Sequence, residues 1–256
     1  DTFGFGANIG KQLTRNLYGY VGYSYSNNKI DANDTTSSLI SSVFSNEDLS
    51  YVKSTFNVGL SYDSTDDYFV PRRGMILGGS LGYSGVGGDE KFLAYKGRFG
   101  AYYGMENIID YDLIFRYKVR ANMLQDQGHI SGPERLFLGG VSSVRGYQPY
   151  TIAPSTYSEN DNGDTTRTII GGKKSLVNTV EASIPLSEAA KMRLAFFADY
   201  GMIGENSFDE IRRSGYGVSL EWYSPMGPIN LVFARARNAG ELERTSSFEF
   251  TMGRKF

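Results

Sequence analysis

The chain has no cysteine, one histidine, only seven prolines among 256 residues, and no apolar run of helical membrane-spanning length. Without cysteine there is neither a disulfide framework nor a thiolate metal site, and the compartment is left open. Without a run of about 18 apolar residues there is no membrane-spanning helix. The single histidine, His129, stands in QDQGHISGPE with no serine elbow beside it, so a hydrolase would lack its nucleophile and base. The acidic stretch ENDNGD at 159–164 lacks the spacing of a calcium loop. A formal net charge of -2 gives no reason to expect a nucleic-acid partner. The opening DTFGFGANIG has no basic start and no apolar middle, so any targeting segment is expected upstream of it. The expectation is a protein without covalent chemistry, cofactor or metal.

What the chain does have is 31 glycines, 19 tyrosines and 16 phenylalanines, a composition of many strands with close backbone contacts. Its apolar residues recur with period two. In YVKSTFNVGLSY, Val52, Phe56, Val58, Leu60 and Tyr62 share one parity, and Lys53, Thr55, Asn57 and Ser61 share the other. KFLAYKGRFGAYYG sets Leu93, Tyr95, Phe99, Ala101 and Tyr103 against Lys96 and Arg98. IIDYDLIFRYKVRAN sets Ile109, Tyr111, Leu113, Phe115, Tyr117, Val119 and Ala121 against Asp112, Arg116, Lys118 and Arg120. About eleven such segments of roughly ten residues follow one another, starting near 2, 15, 51, 74, 91, 109, 174, 191, 214, 228 and 246, with no convincing helix between them.

A soluble sandwich would also alternate, and the connections separate the two. Reversal of direction at every strand puts the long segments 26–50 and 126–172 at one end. KQLTRN, DSTDDYFVPRRG, MENII, SEAA and SPMGP fall at the other. Long loops on one side and short turns on the other mark the outer-membrane type of barrel. The expected fold is therefore all-β, one transmembrane antiparallel β-barrel domain over 1–256, with 126–172 as a long extracellular loop.

That loop carries Val144, Arg145, Gly146 and Tyr147, in LFLGGVSSVRGYQPYTIAP. An arginine set among apolar and aromatic residues behind a Gly-Gly pair suggests a partner. Separately, parity sets the direction of two acids. In LVNTVEASI, Glu181 shares its side with Val177, Thr179 and Ser183, opposite Leu176, Val180, Ala182 and Ile184. In RLAFFADYG, Asp199 lies opposite Leu194, Phe196, Ala198 and Tyr200. Both acids point inward from consecutive strands, and the fork of a guanidinium can take two carboxylates at once. Lys96, Arg98, Arg116, Lys118 and Arg120 form an inward basic wall. This reads as a solvated lining, or alternatively as a counter-surface for the loop acids Glu159, Asp161 and Asp164. In the last segment, SSFEFTMGRKF, Phe248, Phe250, Met252 and Phe256 share one parity, consistent with a lipid-facing strand or with a C-terminal assembly signal ending in an aromatic.

GGVSSVRGYQPYTIAP, IIGGKKSLVNTVEASIPL, AFFADYGMIG, LEWYSPMGPINLVFARA and the terminal Phe256, in that order over 133–256, resemble the C-terminal barrel of the BamA family of outer-membrane protein assembly factors. The YFVPRRG turn fits the same pattern. VRGY by itself is shared with the autotransporter-assembly homologue TamA and with two-partner-secretion transporters. The resemblance implies a barrel of about sixteen strands behind periplasmic domains, of which the first strands and those domains are absent from this chain. It implies an integral protein of the Gram-negative outer membrane that folds and inserts β-barrel proteins. Its partners would be unfolded outer-membrane clients, the lipid bilayer, and accessory lipoproteins bound through the periplasmic domains. It also implies that the long loop folds into the lumen and that Arg145 reaches acids of the inner wall, Glu181 and Asp199. The alternatives are a two-partner-secretion type translocation pore, a TamA-like autotransporter assembly factor, and a passive porin.

Overall fold

A computed structural model describes residues 2–29, 50–159, 165–224 and 227–253. The strands are β1 (Thr2–Thr14), β2 (Leu17–Asn28), β3 (Tyr51–Asp63), β4 (Arg73–Ser84), β5 (Lys91–Gly104), β6 (Ile114–His129), β7 (Ser155–Glu159), β8 (Thr165–Ile169), β9 (Lys174–Ser187), β10 (Met192–Gly204), β11 (Ile211–Ser224), β12 (Gly227–Arg237) and β13 (Phe248–Met252). Eleven of them form one sheet in the order β1-β2-β3-β4-β5-β6-β9-β10-β11-β12-β13, and β7 and β8 form a separate hairpin within the long loop. Every neighbouring pair is antiparallel, as the alternating pattern requires. β1 and β13 are the two ends of the sheet, which does not close among the described residues.

The two faces decide between sandwich and barrel. Phe56, Val58, Leu60, Leu77, Val180, Phe196, Phe233, Phe248 and Phe250 all stand exposed on the outer face. Arg116, Thr179, Glu181, Asp199, Ser219 and Glu221 are buried on the inner one. Among the described residues no second sheet covers the apolar side. This reversal of the soluble pattern is what lipid contact selects, because hydrocarbon satisfies the outer side chains and the ladders satisfy the backbone. The largest cluster of buried apolar residues belongs to the long loop packed on the inner face: Leu138, Val144, Tyr147, Ile152 and Ala153 against Val177 and Ile203.

One expectation is corrected. The sixth strand starts at Ile114 rather than near 109, because Glu106–Ile109 is a single α-helical turn, α1, closed by Asp110 in the left-handed region at φ 52°. Ile109, Tyr111 and Leu113 therefore belong to a turn that the Met105 N–H closes onto the Leu113 carbonyl at 2.8 Å. The reason is tertiary: Asp112 accepts from Arg72 Nε and Nη2 at 3.0 and 2.7 Å and from Arg193 Nη1 at 2.6 Å, which draws this turn toward β10.

The YFVPRRG turn is built by its own acids. Asp67 accepts the N–H groups of Phe69 and Val70 at 2.8 and 2.7 Å, and Asp66 accepts those of Arg72 and Arg73 at 2.9 and 3.1 Å. This aims Arg72 at Asp112 and brings the Phe69 ring to 6.2 Å from that of Tyr223, edge to face. Burial works against ionisation of Asp112, but the hydrogen bonds from Arg72 and Arg193 outweigh it and hold the carboxyl below its ordinary value. A depressed folded value means stability that is fully present above the ordinary value of 3.8 and fades as the pH falls through the depressed one. Asp112→Asn is thus expected to lower the urea midpoint of the barrel at pH 7, with the gap to the parent narrowing as the pH drops below 3.8. A gap that stays constant with pH would rule out this linkage.

Candidate functional site

The long loop folds back on itself before it meets the wall. Ser143 Oγ donates to the Gly139 carbonyl at 2.9 Å and accepts the Gly139 N–H at 2.7 Å, while the Gly140 N–H reaches the Tyr147 carbonyl at 2.8 Å. Leu138 pairs with Ile152 beneath this turn. The result presents Val144 to Tyr147 as a compact projection, all four residues buried.

Arg145 sits at its centre. Nε and Nη2 donate to Asp199 Oδ2 and Oδ1 at 2.7 and 2.8 Å, and Nη1 lies 2.9 Å from Glu181 Oε1. Its backbone N–H also donates to Asp199 Oδ2 at 3.0 Å, and its guanidinium carbon lies 3.5 Å from the centre of the Phe197 ring. Asp199 receives a fourth hydrogen bond from Thr179 Oγ1 at 2.9 Å. The structure thus brings together Arg145, Glu181 and Asp199. Of the other motif residues, Val144 fills the apolar cluster. Gly146, at φ 95°, accepts the Ser246 N–H at 3.0 Å and donates to Glu249 Oε1 at 3.3 Å. Tyr147 donates its hydroxyl to the Arg237 carbonyl at 2.6 Å; burial pushes the phenol up to about 12, Glu243 adding and Arg213 opposing.

The motif therefore touches both β10 and the end of the sheet. β13 pairs with β12 only from Ile229 to Phe233; beyond that point the motif backbone bonds to residues 244–246, Gly146 comes close to Arg235 and Ala236, and the Tyr147 hydroxyl reaches Arg237. Phe248, Phe250 and Met252 face outward and are about half exposed. Phe256 lies outside the described residues.

The pattern of the Omp85 superfamily domain matches residues 1–256, the whole length. The chain belongs to the Omp85 superfamily. It is 25% identical over its full length to the outer membrane protein assembly factor BamA of Nitratidesulfovibrio vulgaris, covering 31% of that protein. To the BamA of Neorickettsia risticii it is 27% identical over 94% of its length, covering 32% of the relative. The chain thus spans about a third of the length of these curated relatives. The crystal structure of BamA from Haemophilus ducreyi lacking POTRA domains 1-3 shares the fold, with a TM-score of 0.79 at 18% identity, over 97% of this chain and 53% of that one. The resemblance carried by the motif stretches extends to the whole chain, and the Omp85 domain is an integral β-barrel of the bacterial outer membrane.

Around Arg145 the Omp85 domain buries a balanced ion cluster. Arg116, Lys118 and Arg145 face Glu181, Asp199 and Glu221, three cations against three carboxylates. This revises the basic wall. Arg116 is buried and forks Glu221 on β11, and Lys118 reaches Glu181 at 2.9 Å, so strand acids rather than loop acids hold these two. Lys96, Arg98 and Arg120 remain exposed on the inner face, the solvated lining. Arg98 and Arg120 line a cavity of about 520 Å³ together with Arg145, Glu181 and Asp199. Glu159 is exposed on the β7–β8 hairpin, and Asp161 and Asp164 lie outside the described residues. Sequence reasoning missed Glu221, although it alternates with the outward Leu220 and Trp222. Its parity was legible, but its partner 105 residues away was not.

Proposed function

We propose that this Omp85 domain is the barrel of an outer-membrane insertase, which receives unfolded outer-membrane β-barrel clients and promotes their entry into the bilayer without covalent chemistry. In this reading the long-loop end is extracellular, the turn end is periplasmic, and accessory lipoproteins act through periplasmic domains of the full-length protein. The observation that carries it is the loop motif anchored by Arg145 on Glu181 and Asp199, next to the short terminal strand β13. A strand cannot enter hydrocarbon with unpaired backbone groups, so an insertase must lend a strand edge as a temporary pairing partner. A terminal strand of five residues beside others of 11 to 16 supports such an edge, since its apolar belt is short and bilayer thinning around a short belt lowers the insertion barrier.

The test is replacement of the full-length protein by Arg145→Ala in cells depleted of the parent, following client barrels by their heat-modifiable gel mobility. Client folding is expected to slow by at least about tenfold, since losing the anchor of a buried ion cluster costs several times the ~1.4 kcal/mol that a tenfold change represents. Normal folding of all clients, together with loss of export of one secreted substrate, would overturn the insertase reading in favour of a secretion pore.

A further inference from the structure

Arg116 belongs to none of the motif stretches, yet it is only 3% exposed and its guanidinium reaches from β6 to two other strands, β9 and β11. It forks Glu221 of β11 at 2.6 and 3.0 Å, donates to Ser183 Oγ of β9 at 3.1 Å, and lies 3.6 Å from Glu181 Oε2. In the sheet β6 and β11 are separated by β9 and β10, so the Glu221 contact is a chord across a curved surface rather than a ladder neighbour. Ser183 Oγ also accepts from Arg193 Nε at 2.9 Å, and Arg193 shares Asp112 with Arg72. A continuous polar chain therefore runs from the YFVPRRG turn to the seat of the loop motif.

Stability alone does not account for this residue. Arg116 Nε is buried with no hydrogen-bond partner among the described residues, and a desolvated cation with an orphan donor is a poor stabiliser compared with an apolar pair of the same shape. Its geometry accounts for it better. Glu181 must turn one oxygen to Arg145, and it does so with Oε1 while Lys118 and Arg116 hold Oε2 from the other side. Lys118 is a flexible point charge, whereas Arg116 is a planar group already locked on Glu221.

We propose that Arg116 is a positioning residue of the loop seat. It orients Glu181 toward Arg145 and, through Glu221 and Ser183, holds β9 and β11 at the curvature that sets Asp199 beside Glu181. The proposal rests on the reading of the loop motif as the working part of the insertase, but it concerns whether the loop is seated, which is measured without any client.

The absence of cysteine from this chain makes the measurement direct. Val144 and Ser54 are both fully buried, the first within the motif and the second on β3 against the Tyr23 hydroxyl of β2, so Val144→Cys reports loop seating and Ser54→Cys reports general loosening. In the full-length protein in native outer membranes, with any other cysteine changed to serine, maleimide labelling of Val144→Cys is expected to rise on the order of tenfold with Arg116→Gln. Labelling of Ser54→Cys should stay at the parent rate, and the barrel should remain heat-modifiable. Arg116→Lys keeps the charge without the fork and is expected to give an intermediate rate; it decides the matter if Arg116→Gln does not fold. Parent-rate labelling at Val144→Cys in a folded Arg116→Lys or Arg116→Gln barrel, or equal increases at both reporters, would overturn the proposal. Raised labelling at Val144→Cys alone with normal client assembly would keep the positioning role and count instead against the insertase reading.

Discussion

Arg145→Ala is expected to cost the barrel about 3–5 kcal/mol, because it leaves two buried carboxylates without their shared counter-charge. The burden falls unequally on them. Glu181 keeps Lys118 and Arg116, whereas Asp199 keeps two neutral donors, the Thr179 hydroxyl and the backbone N–H of residue 145. In double-mutant cycles Arg145→Ala should therefore couple more strongly to Asp199→Asn than to Glu181→Gln, with the first coupling above about 1.5 kcal/mol. Arg145→Lys should recover only part of the loss, since an ammonium cannot span Asp199 Oδ1, Asp199 Oδ2 and Glu181 Oε1 together. Thermal unfolding of the detergent-solubilised barrel reads all of these. Coupling to Asp199→Asn below about 0.5 kcal/mol would show that the ion pair contributes nothing to the seat.

Gly215→Val is expected to unseat the loop although it improves the strand. Gly215 lies on the inner face of β11 without a positive φ, and valine is among the best strand formers, so local propensity predicts a gain. The loop predicts the reverse. A Cβ on Gly215 would collide with the Arg145 carbonyl oxygen, a backbone atom fixed by the hydrogen bonds on either side of it. Overpacking of this kind typically costs about 1–3 kcal/mol, more than the strand propensity returns. The melting temperature should fall, and adding Gly215→Val to Arg145→Ala should cost less than the sum, since the loop has already left. A melting temperature raised by Gly215→Val would mean that the loop does not bear on β11.

Neighbouring substitutions in this seat are not expected to behave independently. Gly201 on β10 is close to Val144 as Gly215 is to Arg145, so small residues of two strands form the floor on which the motif rests. Loop and wall share one layer of contacts, and a change on either side is felt by both.

The strand content, the inward aim of Glu181 and Asp199, and the outward aim of Phe248, Phe250 and Met252 were legible from the sequence alone, because a strand has period two and parity is a local property. The asymmetry of loops and turns was legible because strand direction reverses at every connection. Three things were decided only by tertiary structure. Ile109 and Tyr111 continue the alternation of β6, yet the pull of Arg72 and Arg193 on Asp112 ends the strand at Ile114. Lys118 and Arg116 read alike on the inner wall, yet one is partly solvated and the other is locked on a carboxylate 105 residues away. Gly215 reads as a weak point in a strand, yet it makes room for the backbone of Arg145. Parity tells which face a side chain occupies. Which residue meets it there depends on how the sheet curves and on where the long loop comes to rest, and both are set by contacts far apart in the chain.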